Sequence, residues 1–190
     1  MYCITCSKLS LYIICKNCQN TLLKPVFNKR EIEDDFYNYS FYPYSEIEDL
    51  ISSKYHFHGD KIYNILARLS FLEFTKKFKI DEQILAIPID DHSRHNFSHT
   101  AILANHLKSS IITPKYNTLK AKNIVKYAGK DLEFRQKNPR RFQLTNIYNQ
   151  TTILCDDLIT TGATIKEAKK VLEKKKNKVL FSLTLADAKL

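Results

Sequence analysis

Apolar residues recur along this chain with two different periods. Between residues 36 and 42, Tyr37, Tyr39 and Phe41 alternate while Phe36 and Tyr42 face the other way, the period of a strand with aromatic residues on both faces. From 60 to 79 the spacing changes to that of an amphipathic helix, with Ile62, Ile65, Leu66 and Leu69 on one stripe. Residues 84–89 are an unbroken apolar run and predict a buried strand. A polar loop, a helix over about 98–108 and a short strand near Ile111 follow. After a basic segment come an apolar strand from Thr152, a helix with Ile165, Ala168, Val171 and Leu172 as its buried stripe, and a closing strand over 179–186. Strands alternating with helices predict an α/β fold built on a largely parallel, layered sheet. A length of 190 residues suits one principal domain with a small appendage.

The richest chemistry lies at 152–164, where an apolar strand delivers two carboxylates, Asp156 and Asp157, to a turn carrying Thr160, Thr161, Gly162, Ala163 and Thr164 before a helix opens. Ligands of open α/β sheets bind beyond the carboxyl ends of the strands. There the unpaired N–H groups and positive dipole end of the helix favour phosphate, and glycine allows close approach. Asp156 and Asp157 would accept from the 2′- and 3′-hydroxyls of a ribose. An ordinary βα turn with an N-cap threonine is the alternative, but adjacent carboxylates at a strand end are costly to desolvate without a partner. The stretch resembles the 5-phosphoribosyl-1-pyrophosphate (PRPP) motif of type I phosphoribosyltransferases at all 13 positions. That resemblance implies a Rossmann-like core, Mg2+ carried in with the diphosphate and a mobile loop that closes over the site. It does not imply catalysis.

Four of five cysteines form the second signal. Cys3 and Cys6, then Cys15 and Cys18, are paired at the spacing that closes a tetrahedral four-thiolate zinc site. So short a knuckle would draw its folding energy from the metal. Disulfides are disfavoured in a reducing cytosol, and a redox pair would need a thioredoxin-like βαβ context. Cys155, inside the apolar strand, reads as a buried small residue rather than a nucleophile. No apolar run approaches the roughly 20 residues of a membrane span, and the N-terminus has no signal-peptide pattern, so a cytoplasmic protein is expected.

The formal net charge of +10 is unevenly spread. Residues 1–30 carry five basic and no acidic side chains, 31–50 seven acidic and no basic ones, and 119–141 eight basic against two acidic. Clustered positive charge is what a phosphate backbone uses. Lys126, Arg135, Arg140 and Arg141 are the candidate phosphate contacts, with Tyr37 and Tyr39 as stacking platforms unless they pack into the core. The lysine-rich helix after the turn reads instead as a solvated outer face. His92, His95 and His99 lie near the expected ligand loop, but their spacing needs a helix to converge, and an ordinary loop is expected.

Taken together, the cysteine knuckle, the aromatic strand, Tyr44, Lys54-Tyr55, Gly59-Asp60, Arg135, Asn138, Phe142 and the terminal PRPP-like motif resemble the ComF family of bacterial competence proteins over nearly the whole chain. Where that family has an arginine-glycine-phenylalanine-asparagine-glutamine segment, this chain has His95, Asn96, Phe97, Ser98 and His99. The resemblance implies a zinc finger over 1–30 and a phosphoribosyltransferase-like domain over 31–190, with hood strands near its start and a basic mobile loop about 114–141. It implies a role in natural transformation and DNA uptake: handling incoming single-stranded DNA beside a helicase-like partner. The rival expectation is an active phosphoribosyltransferase acting on a nucleobase or amine. Asp156 and Asp157 would then serve the ribose, Lys120, Lys122 and Lys126 would clamp the departing pyrophosphate, and the loop at 88–94, with Asp90 and Arg94, would bind it. A PRPP-sensing regulator of nucleic-acid binding needs two linked sites and no chemistry.

Overall fold

The computed structural model describes residues 1–89, 97–123, 140–145 and 147–190. Its centre is a six-stranded sheet in the order β1-β2-β8-β7-β3-β4. The strands are β1 (Asn28–Glu33), β2 (Phe36–Pro43), β3 (Ile84–Pro88), β4 (Ile112–Pro114), β7 (Thr151–Ile159) and β8 (Lys178–Asp187). From β2 to β4 every neighbouring pair is parallel, and β1 alone runs antiparallel, at the edge. The expected largely parallel α/β sheet is therefore present. A separate two-stranded ribbon pairs β5 (Leu119–Ala121) with β6 (Phe142–Leu144).

Two crossovers leave the centre in opposite directions. From β3 the chain passes through α5 (His99–Asn105) to β4 on one side, and from β7 through α6 (Ala163–Glu173) to β8 on the other. Right-handed crossovers in opposite directions place their helices on opposite faces, and the buried residues divide accordingly. One cluster joins Ile153, Cys155 and Leu103 to Tyr63, Leu66 and Phe71; the other joins Leu154 and Ile87 to Ile165, Ala168 and Leu172 of α6 and to Leu119 and Phe142 of the ribbon. The chain reverses its winding between β3 and β7, which is where open α/β sheets bind ligands.

The first face is covered by α2 (Tyr44–Ser52), a 3-10 turn (Ser53–Tyr55), α3 (Gly59–Leu69) and α4 (Phe71–Lys77), with α1 (Lys16–Thr21) in the cysteine knuckle. The helix expected over 60–79 is thus two helices. They meet at Ser70, whose hydroxyl donates to the Leu66 carbonyl at 2.7 Å, a local bond that competes with the helical ladder. The break turns Phe71 fully inward. The segment expected to form hood strands is the β1–β2 hairpin, which extends the main sheet. A buried polar ladder fixes its register: Asn38 donates to the Thr184 hydroxyl at 2.9 Å and accepts from the Ser182 hydroxyl at 2.8 Å. Satisfied buried bonds of this kind penalise a one-residue slip.

Of the segment at about 114–141 expected as a basic loop, the first part carries β5, with Lys120 paired opposite Gln143. Among the described residues, no helix is long and apolar enough to cross a membrane.

Candidate functional site

Strand register opens the site. The last residue of β3 is Pro88, paired with Cys155, whereas β8 keeps pairing with β7 as far as Ile159 opposite Asp187. Asp156 is therefore the first residue of β7 beyond its pairing with β3. Successive side chains of a strand face opposite ways, so Asp157 follows Ile153 and Cys155 towards the α3–α5 layer.

There Asp157 is enclosed. Its Oδ2 accepts from Lys54 Nζ at 2.6 Å and from the Tyr63 hydroxyl at 2.9 Å, and His99 Nε2 stands 3.7 Å away. The Tyr63 hydroxyl is also 3.0 Å from the Ile51 carbonyl; its single proton favours the charged acceptor. Burial opposes ionisation of Asp157, but Lys54, His99 and the Tyr63 hydrogen bond together hold its carboxyl below the usual carboxylate range. Burial likewise works against the Lys54 ammonium, and the attraction of Asp157 outweighs it, so the lysine titrates above its ordinary value. Tyr63, raised well above the ordinary phenol value by burial and then by the charge of Asp157, stays a neutral donor.

Asp156 has the opposite balance. Burial, reinforced by the neighbouring charge of Asp157, pushes its carboxyl well above the ordinary value; the Asp157 N–H, which donates to Asp156 Oδ1 at 2.8 Å, and the positive charges of Arg140 and Lys54 offset only part of this. The two acids were expected to accept from the 2′- and 3′-hydroxyls of a ribose. In the structure Asp157 has internal partners, and Asp156 is the more poorly compensated carboxylate.

The turn after β7 has the expected form. Gly162 adopts the left-handed conformation at φ 81°, and α6 begins at Ala163. A Cβ on Gly162 would lie 2.6 Å from Cγ2 of Ile32 on β1, so space as well as torsion requires glycine. Thr161 Oγ1 accepts from the Ala163 N–H at 3.3 Å. Arg30, also on β1, donates to the Thr160 carbonyl at 2.8 Å and to Asp187 at 2.6 Å, and so ties the turn to the ends of β7 and β8. Nothing in the hydropathy pattern singled out Arg30.

At the far end of the basic segment, both oxygens of Glu167 on α6 accept backbone N–H groups, from Arg140 at 3.0 Å and Arg141 at 2.7 Å. The charge of Arg140, expected as a nucleic-acid contact, acts on Asp156. Arg141 is exposed. The Lys122 N–H donates to the Arg140 carbonyl at 3.1 Å, which joins the two ends of the segment. Tyr39 stacks on Phe27 with ring centroids 5.1 Å apart, and Lys29 lies 3.6 Å over Tyr37, so both expected platforms have one face covered. Asp90, Arg94, Lys126 and Arg135 lie outside the described residues.

The sulfurs of Cys3, Cys6, Cys15 and Cys18 all lie within 4.8 Å of one another. Cys3 and Cys18 are 3.9 Å apart and Cys6 and Cys15 3.8 Å apart. Zinc–sulfur bonds of about 2.3 Å at tetrahedral angles give an edge of about 3.8 Å, so the cluster fits a zinc ion. Cys155 is fully buried, and burial raises its thiol far above the ordinary value, which suits a packing residue and not a nucleophile.

No family model matches the chain, and no curated protein matches it. Among solved structures it is similar to a hypoxanthine phosphoribosyltransferase from Staphylococcus aureus, at 15% identity and a TM-score of 0.42 over 66% of this chain and 62% of that one. It is similar to UMP synthase from Leishmania donovani, at 13% identity and a TM-score of 0.39 over 90% of this chain and 31% of that one. An adenine phosphoribosyltransferase aligns at 17% identity and a TM-score of 0.34 over 88% of this chain and 89% of that one. The chain spans less than two thirds of the length of the first two.

The two acids predict opposite responses. Asp157→Asn leaves Lys54 buried without its counter-charge and is expected to cost about 3–5 kcal/mol at neutral pH. Because the folded-state value of Asp157 is depressed, that contribution is present above about pH 4, the ordinary carboxylate value, and fades as pH falls below it. Asp156 is raised, so its penalty on folding grows as pH rises through the same region. Asp156→Asn, which can still accept the Asp157 N–H, is expected to raise the melting temperature at pH 7 and to lose that gain towards about pH 4. Denaturation of both variants across pH tests this, and shifts of the same sign would overturn the assignment.

Proposed function

We propose that this chain binds PRPP, as its Mg2+ complex, at the winding reversal between β3 and β7. The observation that carries the reading is the join of an incompletely compensated carboxylate, Asp156, to a glycine turn that opens the 11-residue helix α6. Backbone N–H groups of Thr161, Gly162, Ala163 and Thr164 would hold the 5-phosphate, and Asp156 would accept from ribose hydroxyls. Mg2+ would enter on the diphosphate, since it retains water and binds through few protein carboxylates. Calorimetry with Mg2+·PRPP is expected to show one site per chain, lost in Asp156→Asn while the fold persists. Unchanged affinity in that variant would place the site elsewhere. Pyrophosphate release on supplying bases or amines separates a transferase from a binding protein. In the transferase, replacing Lys120 and Lys122 slows release more than it weakens binding.

The cysteine cluster supports a structural zinc ion. Its burial joins it to the main core, because Cys3, Ile14, Cys18 and Leu23 belong to the same cluster as Tyr63 and Leu66. Close to one zinc per chain is expected by elemental analysis. Chelation should lower the melting temperature of the whole chain, not only of its first residues. A zinc-free protein with an unchanged melting curve would remove the metal.

The clustered charge and the ComF resemblance favour a second, compatible role in handling single-stranded DNA during natural transformation. Arg141 and Lys120, with Lys126 and Arg135, would meet phosphates, and Tyr37 or Tyr39 would stack on bases for about 1–3 kcal/mol each. The logarithm of affinity should fall linearly with the logarithm of salt, by about 0.7 per phosphate neutralised. Charge reversal at Arg135 and Arg141 should flatten that slope, whereas Tyr37→Ala should weaken binding at constant slope. No anisotropy change with any single strand at low salt would remove this role.

A further inference from the structure

Beside the turn, one oxygen each of Asp156 and Asp157 and one ring nitrogen of His99 lie within 4.8 Å of one another. Two carboxylates and an imidazole converging so closely form a donor set for a divalent ion such as Mn2+. Part of the position is already taken. Lys54 Nζ rests 2.6 Å from Asp157 Oδ2, with the lysine side chain only 18% exposed, and the Tyr63 hydroxyl donates to that same oxygen. The ammonium and the phenol already use that oxygen, and a metal ion brought to the same carboxylate would be repelled by the ammonium at such range.

The turn that presents Lys54 is itself fixed by packing. A Cβ on Gly59, the first residue of α3, would lie 2.2 Å from the Ser53 carbonyl and 2.8 Å from Phe97, so only glycine lets α3 start against Ser53. Ser53 is buried and its hydroxyl donates to the Leu50 carbonyl. Lys54 is therefore held over Asp157 from both sides of its short turn.

We propose that Lys54 is a resident cation occupying the metal position of Asp157, so that Asp156, Asp157 and His99 do not take a bare divalent ion and metal enters only on a phosphorylated ligand. The ligand clause rests on the sugar-phosphate reading above; the exclusion of bare metal does not. Lys54 is a positioning residue: it fixes Asp157 in its ionised, internally bonded form and leaves Asp156 to the ligand. The site would then sense the metal–diphosphate complex as a unit and ignore free metal.

The test uses Mn2+ alone with the full chain, read by the loss of the free-ion electron paramagnetic resonance signal. Wild type is expected to leave that signal unchanged. Lys54→Met should bind one Mn2+ about tenfold or more tightly than wild type, the scale on which neighbours of metal ligands act. Adding Asp157→Asn to Lys54→Met should abolish the gain, and Lys54→Arg, which keeps the charge, should behave as wild type. Lys54→Gln, which can still donate to Asp157, serves where Lys54→Met does not fold. Equal Mn2+ affinity in wild type and either neutral variant overturns the proposal, as does paramagnetic broadening of His99 resonances in wild type by Mn2+ alone. A parallel titration of wild type with Mn2+·PRPP reports on the sugar-phosphate reading separately, since its failure leaves the metal-alone comparison unaffected.

Discussion

A carboxylate at the end of a central strand cannot be left dry without a partner, and much of one face of this protein is arranged around that constraint. Asp157 follows the strand alternation into the layer built by α2, the 3-10 turn, α3 and α5. Three of those elements each answer it: the turn with Lys54, α3 with Tyr63 and α5 with His99. Desolvating two opposite charges is expensive, and their attraction repays it only where geometry is good and the remaining donors are used. A 2.6 Å contact with a second donor on the same oxygen meets that requirement. The turn that carries Lys54 also fixes how α2 and α3 meet, because only glycine at 59 fits against the Ser53 carbonyl.

The opposite side of the site is braced by a different device. The β1–β2 hairpin is an edge addition to a parallel sheet, yet it supplies the two side chains that shape the turn: Ile32, which leaves room for nothing but glycine at 162, and Arg30, which bonds the Thr160 carbonyl. Lys169 of α6 adds a contact to Glu33 at 3.3 Å. An anion brought to this turn would gain from carbonyls tied inward, since each orphan amide would then face it with little reorganisation. The antiparallel edge strand thus shapes the candidate site although it carries no polar motif at the turn beyond Arg30.

Much of this was legible in the residues. The strand at 84–88, the final βαβ unit and the glycine turn followed from periodicity and from torsional demand, both of which are local. Helix α2 was missed despite the buried stripe of Ile47, Leu50 and Ile51, because only nine residues separate a strand-ending proline from the next turn. The continuous helix expected over 60–79 failed at Ser70, where one hydroxyl bond and the burial of Phe71 override propensity. The partners of Asp157 were the hardest to foresee. Lys54, Tyr63 and His99 lie 103, 94 and 58 residues from it, and no periodic pattern encodes a pairing across such separations. Adjacent acids suggested a shared task, whereas strand alternation gives them different faces and different partners.

The cysteine knuckle is not an independent unit. Its α1 is joined to α3 by a short polar chain in which Gln19 donates to the Ile14 carbonyl at 2.6 Å and accepts from Arg68 at 2.6 Å. Arg68 lies on the same helix as Tyr63, so the helix that fastens the knuckle also furnishes a donor to Asp157. Helices are stiff over such lengths, and packed cores tolerate few alternative arrangements. Metal-driven folding of the first residues would therefore add to the order of α3 itself. The four cysteines, far from the glycine turn in sequence, are fastened to the same rigid element that completes the surroundings of the buried carboxylate.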